Sequence, residues 1–209
     1  MSSDVITVIP NTWTNIDSVD STNIYTGLSV SSNGQTAISC SSLTTKISND
    51  YGTTFNPLTT IQVANGVGNS FGLPSTPYEW CPFQQAMSAT GQYIVLVAFD
   101  TYPETVKGLV FYSNNYGKTF TQSSGLPTST FTPRAPTISS SGQYVAVFNA
   151  IQNSVMYYSS DYGVSFTSAG ATTSGYFLQN SCISDDGRTV VMTCPAASPN
   201  TKSVFIGKY

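Results

Sequence analysis

One eight-residue pattern occurs three times in this chain of 209 residues: Ser48-Asn49-Asp50-Tyr51-Gly52-Thr53-Thr54-Phe55, Ser113-Asn114-Asn115-Tyr116-Gly117-Lys118-Thr119-Phe120 and Ser159-Ser160-Asp161-Tyr162-Gly163-Val164-Ser165-Phe166. Repetition means that one supersecondary unit is copied along the chain and stacked on its neighbours to bury a shared core. Each copy reads Ser-x-Asp/Asn-Tyr-Gly-x-Ser/Thr-Phe, and every position has a mechanical reading. Glycine takes positive φ without steric cost, so Gly52, Gly117 and Gly163 permit a tight turn. The side-chain oxygens of Asp50, Asn115 and Asp161 accept hydrogen bonds from backbone N–H groups further along it. Phe55, Phe120 and Phe166 then lead into the next strand pointing inward, where burying a Phe contributes roughly 1.5–3 kcal/mol. Ser48, Ser113 and Ser159 open the pattern, and all these positions read as structural.

A second repeat runs ahead of the first. Ser32-Asn33-Gly34-Gln35, Ala89-Thr90-Gly91-Gln92, Ser140-Ser141-Gly142-Gln143 and Asp185-Asp186-Gly187-Arg188 each precede a run rich in β-branched, aromatic and other apolar residues. Small-polar turns of this kind between such runs are hairpin signals. Their glycines lie 57, 51 and 45 residues apart, which suits one four-stranded sheet per repeat. The eight-residue pattern resembles the Asp-box, or BNR, repeat on the blades of sialidase-like β-propellers. The resemblance implies an all-β chain folded as a compact four-bladed β-propeller, with the Asp-box turns at the edge away from any catalytic centre.

The fourth repeat is cut short. After residues 189–193 the chain offers one more strand, Ser203-Val204-Phe205-Ile206, and ends at Tyr209. At the other end, Asn11-Thr12-Trp13-Thr14 aligns with the last strands around Phe120 and Phe166. The expectation is a single domain over 1–209, with blades at roughly 24–60, 80–123, 134–169 and 177–209. Residues 1–16 then act as a closing strand that completes the last blade and closes the ring, with Trp13 in the core. Closure removes exposed sheet edges.

Composition agrees with an all-β domain. The chain is 40% hydrophobic and only 8% charged, with 31 Ser and 28 Thr carrying its polarity. That balance resembles secreted lectins and viral or phage surface proteins. A net charge of −3 and scattered Lys and Arg give no basic patch to neutralise phosphates, which excludes nucleic-acid binding. The N-terminus lacks the basic and apolar regions of a signal peptide, and the apolar run from Tyr93 to Phe99 is too short to span a bilayer. The expectation is no membrane insertion and a cytosolic or particle-associated location for a full-length chain. Cys40, Cys81, Cys182 and Cys194 form no Cys-x-x-Cys pair and read as free buried thiols.

The catalytic inventory is poor. There is no His, hence no common general base, no His-based triad and none of the commonest metal ligand. Sialidases of the family that the repeat resembles hold the substrate carboxylate with three arginines; this chain has two, Arg134 and Arg188, so sialidase activity is excluded. Two-carboxylate glycosidase chemistry would have to draw on Glu79, Asp100 and Glu104. No stretch supplies the oxygen cluster of a Ca²⁺ site, and neither metal nor cofactor is expected.

Binding is better supported. In a propeller, the connections between blades and between second and third strands emerge opposite the Asp-box turns, and here those connections are long. Residues 56–85 carry Phe71, Tyr78, Trp80 and Phe83; 100–107 carry Asp100 and Tyr102; 123–136 carry Phe131 and Arg134; 171–180 carry Tyr176 and Phe177. Exposed aromatics beside a few charges suit sugar or protein recognition. The candidate partner-binding residues are Tyr78, Trp80, Asp100, Tyr102, Arg134 and Tyr176. The 56–85 segment can equally fold back as a plug that buries Trp80. The functional expectation is a non-enzymatic structural or protein-interaction module, such as a viral or phage particle or surface component. A carbohydrate-binding lectin is the alternative and a glycoside hydrolase the third reading. The partner is accordingly a protein or a glycan, and oligomeric state is left open.

Overall fold

The computed structural model describes residues 25–41, 45–58, 61–63, 66–67, 80–100, 108–127, 131–149, 155–171, 180–194 and 203–208. These residues contain strands and turns and no helix. The first sheet is an antiparallel meander of β1 (Tyr25–Val30), β2 (Ala37–Ser41), β3 (Thr45–Ser48) and β4 (Asn56–Pro57). Two short strands follow, β5 (Ile61–Val63) and β6 (Gly66–Val67). The second sheet repeats the meander as β7 (Trp80–Met87), β8 (Ile94–Asp100), β9 (Gly108–Ser113) and β10 (Phe120–Gln122). The third is β11 (Pro133–Ile138), β12 (Val145–Asn149), β13 (Val155–Ser159) and β14 (Thr167–Ala171). The fourth holds three described strands, β15 (Asn180–Ile183), β16 (Thr189–Cys194) and β17 (Ser203–Lys208).

The segment expected to be a long connection departs from that expectation. β5 pairs in parallel with β10, Phe120 opposite Ile61, and β6 pairs back on β5, so the second sheet grows to six strands. Trp80 and Phe83 belong to strand β7 rather than to a loop. Pro82 is accommodated there beside a register shift between Pro82 and Gln84, the kind of bulge that tolerates a residue without an N–H.

Each sheet packs face to face on the next. Strands buried on both faces read as continuous apolar runs, and in β8 the alternation divides Ile94, Leu96 and Ala98 from Val95 and Val97. The first set packs with Ile38, Cys40 and Ile47 of the first sheet, and the second with Val145 and Val147 of the third. In β12, Ala146 and Phe148 then pack with Val190 and Met192 of the fourth sheet. Phe131, expected on an exposed loop, is fully buried in the core between second and third sheets and meets Tyr157 edge-on at 5.5 Å.

The innermost strands touch in the order β1, β7, β11, β15. The outward faces of the two end sheets remain uncovered, with Leu28 76% and Val30 62% exposed at one end and Val204 66% and Ile206 64% at the other. The described residues thus form an arc of four sheets. The closing strand expected at 1–16, with Trp13, lies outside them.

Candidate functional site

The three repeat turns share one geometry. The serine hydroxyl that opens each turn donates to the acid or amide, Ser48 to Asp50 and Ser159 to Asp161 at 2.7 Å and Ser113 to Asn115 at 2.9 Å. The same oxygen accepts the N–H of Gly52, Gly117 or Gly163 at 3.0 Å. Asp50 further accepts the Thr54 hydroxyl at 2.6 Å and the Thr54 N–H at 2.9 Å. Those bonds, Thr54 foremost, hold its carboxyl down at about 2, as accepting several donors does to a carboxylate. At Asp161 burial pushes the carboxyl up, but bonds from Ser165 and Ser159 outweigh it and leave it below the usual range. Asn115 meets Thr119 at the corresponding place, its Nδ2 donating to the hydroxyl oxygen at 2.8 Å and its Oδ1 accepting the N–H at 3.0 Å. Phe120 and Phe166 are buried and Phe55 half-buried. The residue before each glycine is also left-handed: Tyr51, Tyr116 and Tyr162 have φ of 62°, 61° and 65°. A cavity of about 320 Å³ lies at this end of the molecule, against Asp50, Thr54 and Asn56 of the first sheet and Lys118 of the second. Trp80, Asp100 and Arg134, the binding candidates among the described residues, are not in its lining.

The candidates gather, where described, at the other end of the strands. β7 begins at Trp80 and β8 ends at Asp100, and the two residues pair directly across the ladder. β11 runs alongside β7 and begins at Pro133, so Arg134 stands at the same end, paired with Phe148 and half-buried. Tyr78, Tyr102 and Tyr176 lie outside the described residues, although Tyr78 and Tyr102 are each two positions along the chain from this Trp80–Asp100 pair.

The sequence reading missed a set of polar side chains that lock the inner strands together beside Arg134. Ala135, in a register shift of β11 with φ 46°, donates its N–H to Gln84 Oε1 of β7 at 2.7 Å, and its carbonyl accepts the Ser181 hydroxyl of β15 at 2.7 Å. With its amide oxygen turned toward β1, Gln85 accepts the N–H groups of Leu28 and Ser29 at 2.9 and 3.0 Å. Register shifts in β1, β7 and β11 were the available signal, and they become visible only when strand partners are known.

The remaining described acids serve turns. Asp185 accepts the Ser140 N–H at 3.0 Å, and Asp186 accepts the Ser184 hydroxyl at 2.6 Å and the Arg188 N–H at 3.0 Å; these bonds lower both carboxyls. Among the described residues no three His, Cys, Asp or Glu converge on a point where a metal ion could sit. Cys40 is a free buried thiol pushed up to about 12 by burial, whereas Cys182, expected to be buried, is free and exposed.

The sequence matches no protein-family model and no curated protein. The structure is similar to solved structures at low identity. An ancestral GH74 enzyme superposes with TM-score 0.58 at 12% identity, over 88% of this chain and 24% of the enzyme. A candidate TolB from Agrobacterium tumefaciens gives 0.57 at 16%, over 89% of this chain and 58% of that one. YCF48 bound to D1 peptide gives 0.51 at 13%, over 88% and 55%. These are β-propeller proteins, and the fold of this chain is of that kind. The chain spans about a quarter of the enzyme's length and somewhat more than half of the other two.

Proposed function

We propose that the chain is a non-enzymatic protein-interaction module, of the kind carried on a particle or surface, that contacts its partner through the strand end bearing Trp80, Asp100 and Arg134. The observation that supports this reading most is the convergence of these residues, from three strands of two sheets, at the end opposite the repeat turns. The engagement of Asp50, Asp161, Asp185 and Asp186 in turns supports the non-enzymatic part, because among the described acids it leaves Asp100 alone outside a turn, and glycoside hydrolysis needs two opposed carboxylates. A peptide bound to a similar propeller, YCF48, is consistent with a protein partner. We assign residues 1–16 the role of outer strand on a fourth-type sheet, which has three described strands; deleting them should lower the melting temperature, and an unchanged melt removes that assignment.

The test is selection of peptide ligands against the full chain, with a glycan array in parallel. Binding of a selected peptide should be lost in the Trp80→Ala/Tyr102→Ala double variant with little change in melting temperature. Specific glycan binding lost in the same variant would instead make the protein a lectin, and peptide binding indifferent to the substitutions would remove this surface from consideration.

A further inference from the structure

We infer that the two uncovered end faces are the two halves of one sheet-to-sheet interface, and that a second copy of the chain fills each of them, two arcs of four sheets closing into a ring of eight. The internal interfaces define what each face requires. Counting from the turn glycines, Ile94, Val145 and Val190 occupy one register position and each faces the preceding sheet, whereas Val95 and Ala146, one residue on, face the next sheet, and Val191 holds that same position on the outward side of the fourth. Ile38 holds that forward-facing position in the first sheet. The first sheet therefore lacks only a predecessor and the fourth only a successor.

The uncovered residues agree with this register. Leu28 pairs with Ser39 and Val30 with Ala37, on the side of the first sheet away from Ile38. Ile206 pairs with Val191 and Val204 with Thr193, on the side of the fourth sheet away from Val190 and Met192. Contiguous apolar surface of this kind marks an interaction site.

The glycines give independent support. A Cβ on Gly91 would strike Thr36 of the preceding sheet, one on Gly142 would strike Tyr93, and one on Gly187 would strike Tyr144. Among the described residues Gly34 has no such neighbour, and at the repeat turns Gly117 and Gly163 lie on Ile47 and Val95 of the preceding sheets while Gly52 has its own Phe55 nearby. The backbone series behaves the same way: Ser32 N–H donates to Ala89 O at 2.7 Å and Ala89 N–H to Ser140 O at 2.9 Å. In the ring, Gly34 of one copy rests on Thr189 of the other and Gly52 on Val191. Head-to-tail contacts close when the rotation between copies permits it. A second copy is the occupant because the two faces match in register, and among the described residues both stay solvent-exposed within one chain while the inner strands contact one another in the order β1, β7, β11, β15.

The decisive measurement is the mass of the full chain in solution by sedimentation equilibrium. The expected value is twice 22.3 kDa. Leu28→Asp/Val30→Asp and Val204→Asp/Ile206→Asp should each give the single-chain mass. Because each variant keeps the face that the other has lost, an equimolar mixture should recover a one-to-one pair. A wild-type mass of one chain or of more than two, or a dimer that survives either double substitution, overturns the proposal.

Discussion

At the residue scale, each repeat turn is a small acceptor site built around one side chain, and its two acids and one amide form a natural comparison. A carboxyl whose folded value lies below its unfolded one stabilises the fold fully above the unfolded value and loses that contribution as pH falls through the folded one. For Asp50 the window runs from 3.8 down to about 2, and Asp161 is shifted in the same direction. The Asp50→Asn/Asp161→Asn variant, which gives all three turns the amide of Asn115, should therefore lose less melting temperature between pH 5 and pH 2 than wild type. Equal acid limbs would show that these carboxylates hold no special bonds in solution. Gly117→Ala should cost about 1–3 kcal/mol, since its φ of 73° and the contact with Ile47 both oppose a Cβ, and Gly52→Ala less in the single-chain Val204→Asp/Ile206→Asp background, where only the backbone opposes it. The serine, acid and glycine of the turn were legible in the sequence because each role follows from local chemistry. The left-handed tyrosines were not. Tyr51, Tyr116 and Tyr162 donate their N–H groups to the carbonyls of Gln35, Gln92 and Gln143 at 3.0–3.1 Å, and a turn that lies close only after folding sets this conformation against the steric preference of tyrosine.

At the element scale, legibility followed how locally each strand is specified. β8 and β12 announced themselves as apolar runs between turn signals, since sheets on both sides leave no polar face. β5 and β6, of three and two residues, carry no such signal; β5 joins the sheet by pairing onto β10, more than fifty residues away along the chain, and parallel pairing leaves no hairpin turn to read, while β6 only pairs back on β5. The connection before β11 shows the same limit, because Phe131 reads as an exposed loop aromatic and is buried only by the packing of the second and third sheets. The last-strand aromatics can be graded by burial. Phe120→Ala and Phe166→Ala should each destabilise by about 3–5 kcal/mol, the usual range for emptying a buried Phe site. Phe55→Ala should cost clearly less in the single-chain Val204→Asp/Ile206→Asp background, because Phe55 is half-buried within one chain. Chemical denaturation of the three variants in that background would test this ranking, and equal losses there would mean that Phe55 is covered within one chain as fully as Phe120 and Phe166.

At the scale of the whole molecule, the repeat sets the architecture, whereas the ends of the arc decide what the molecule is in solution. The candidate binding residues were chosen because they fall on long connections, and the strands do bring Trp80, Asp100 and Arg134 to one end. Their partner was never legible, since recognition depends on side chains brought together from separate sheets. Cys182 offers a direct report on the ends. It sits in the exposed row with Val191 and Ile206 on the outward face of the fourth sheet, while Cys40 is sealed between the first two. Thiolate is the reactive species, so Cys40, buried and pushed up to about 12, should resist alkylation until the protein unfolds. Cys182 should be alkylated slowly in the wild-type ring and faster on dilution, because association is linked to concentration. Leu28→Asp/Val30→Asp leaves Cys182 and its own sheet untouched and should release that protection at every concentration. Peptide mapping after a timed alkylation reads both sites at once; rapid labelling of Cys182 in concentrated wild-type protein would mean that the fourth sheet faces solvent and that no second copy covers it.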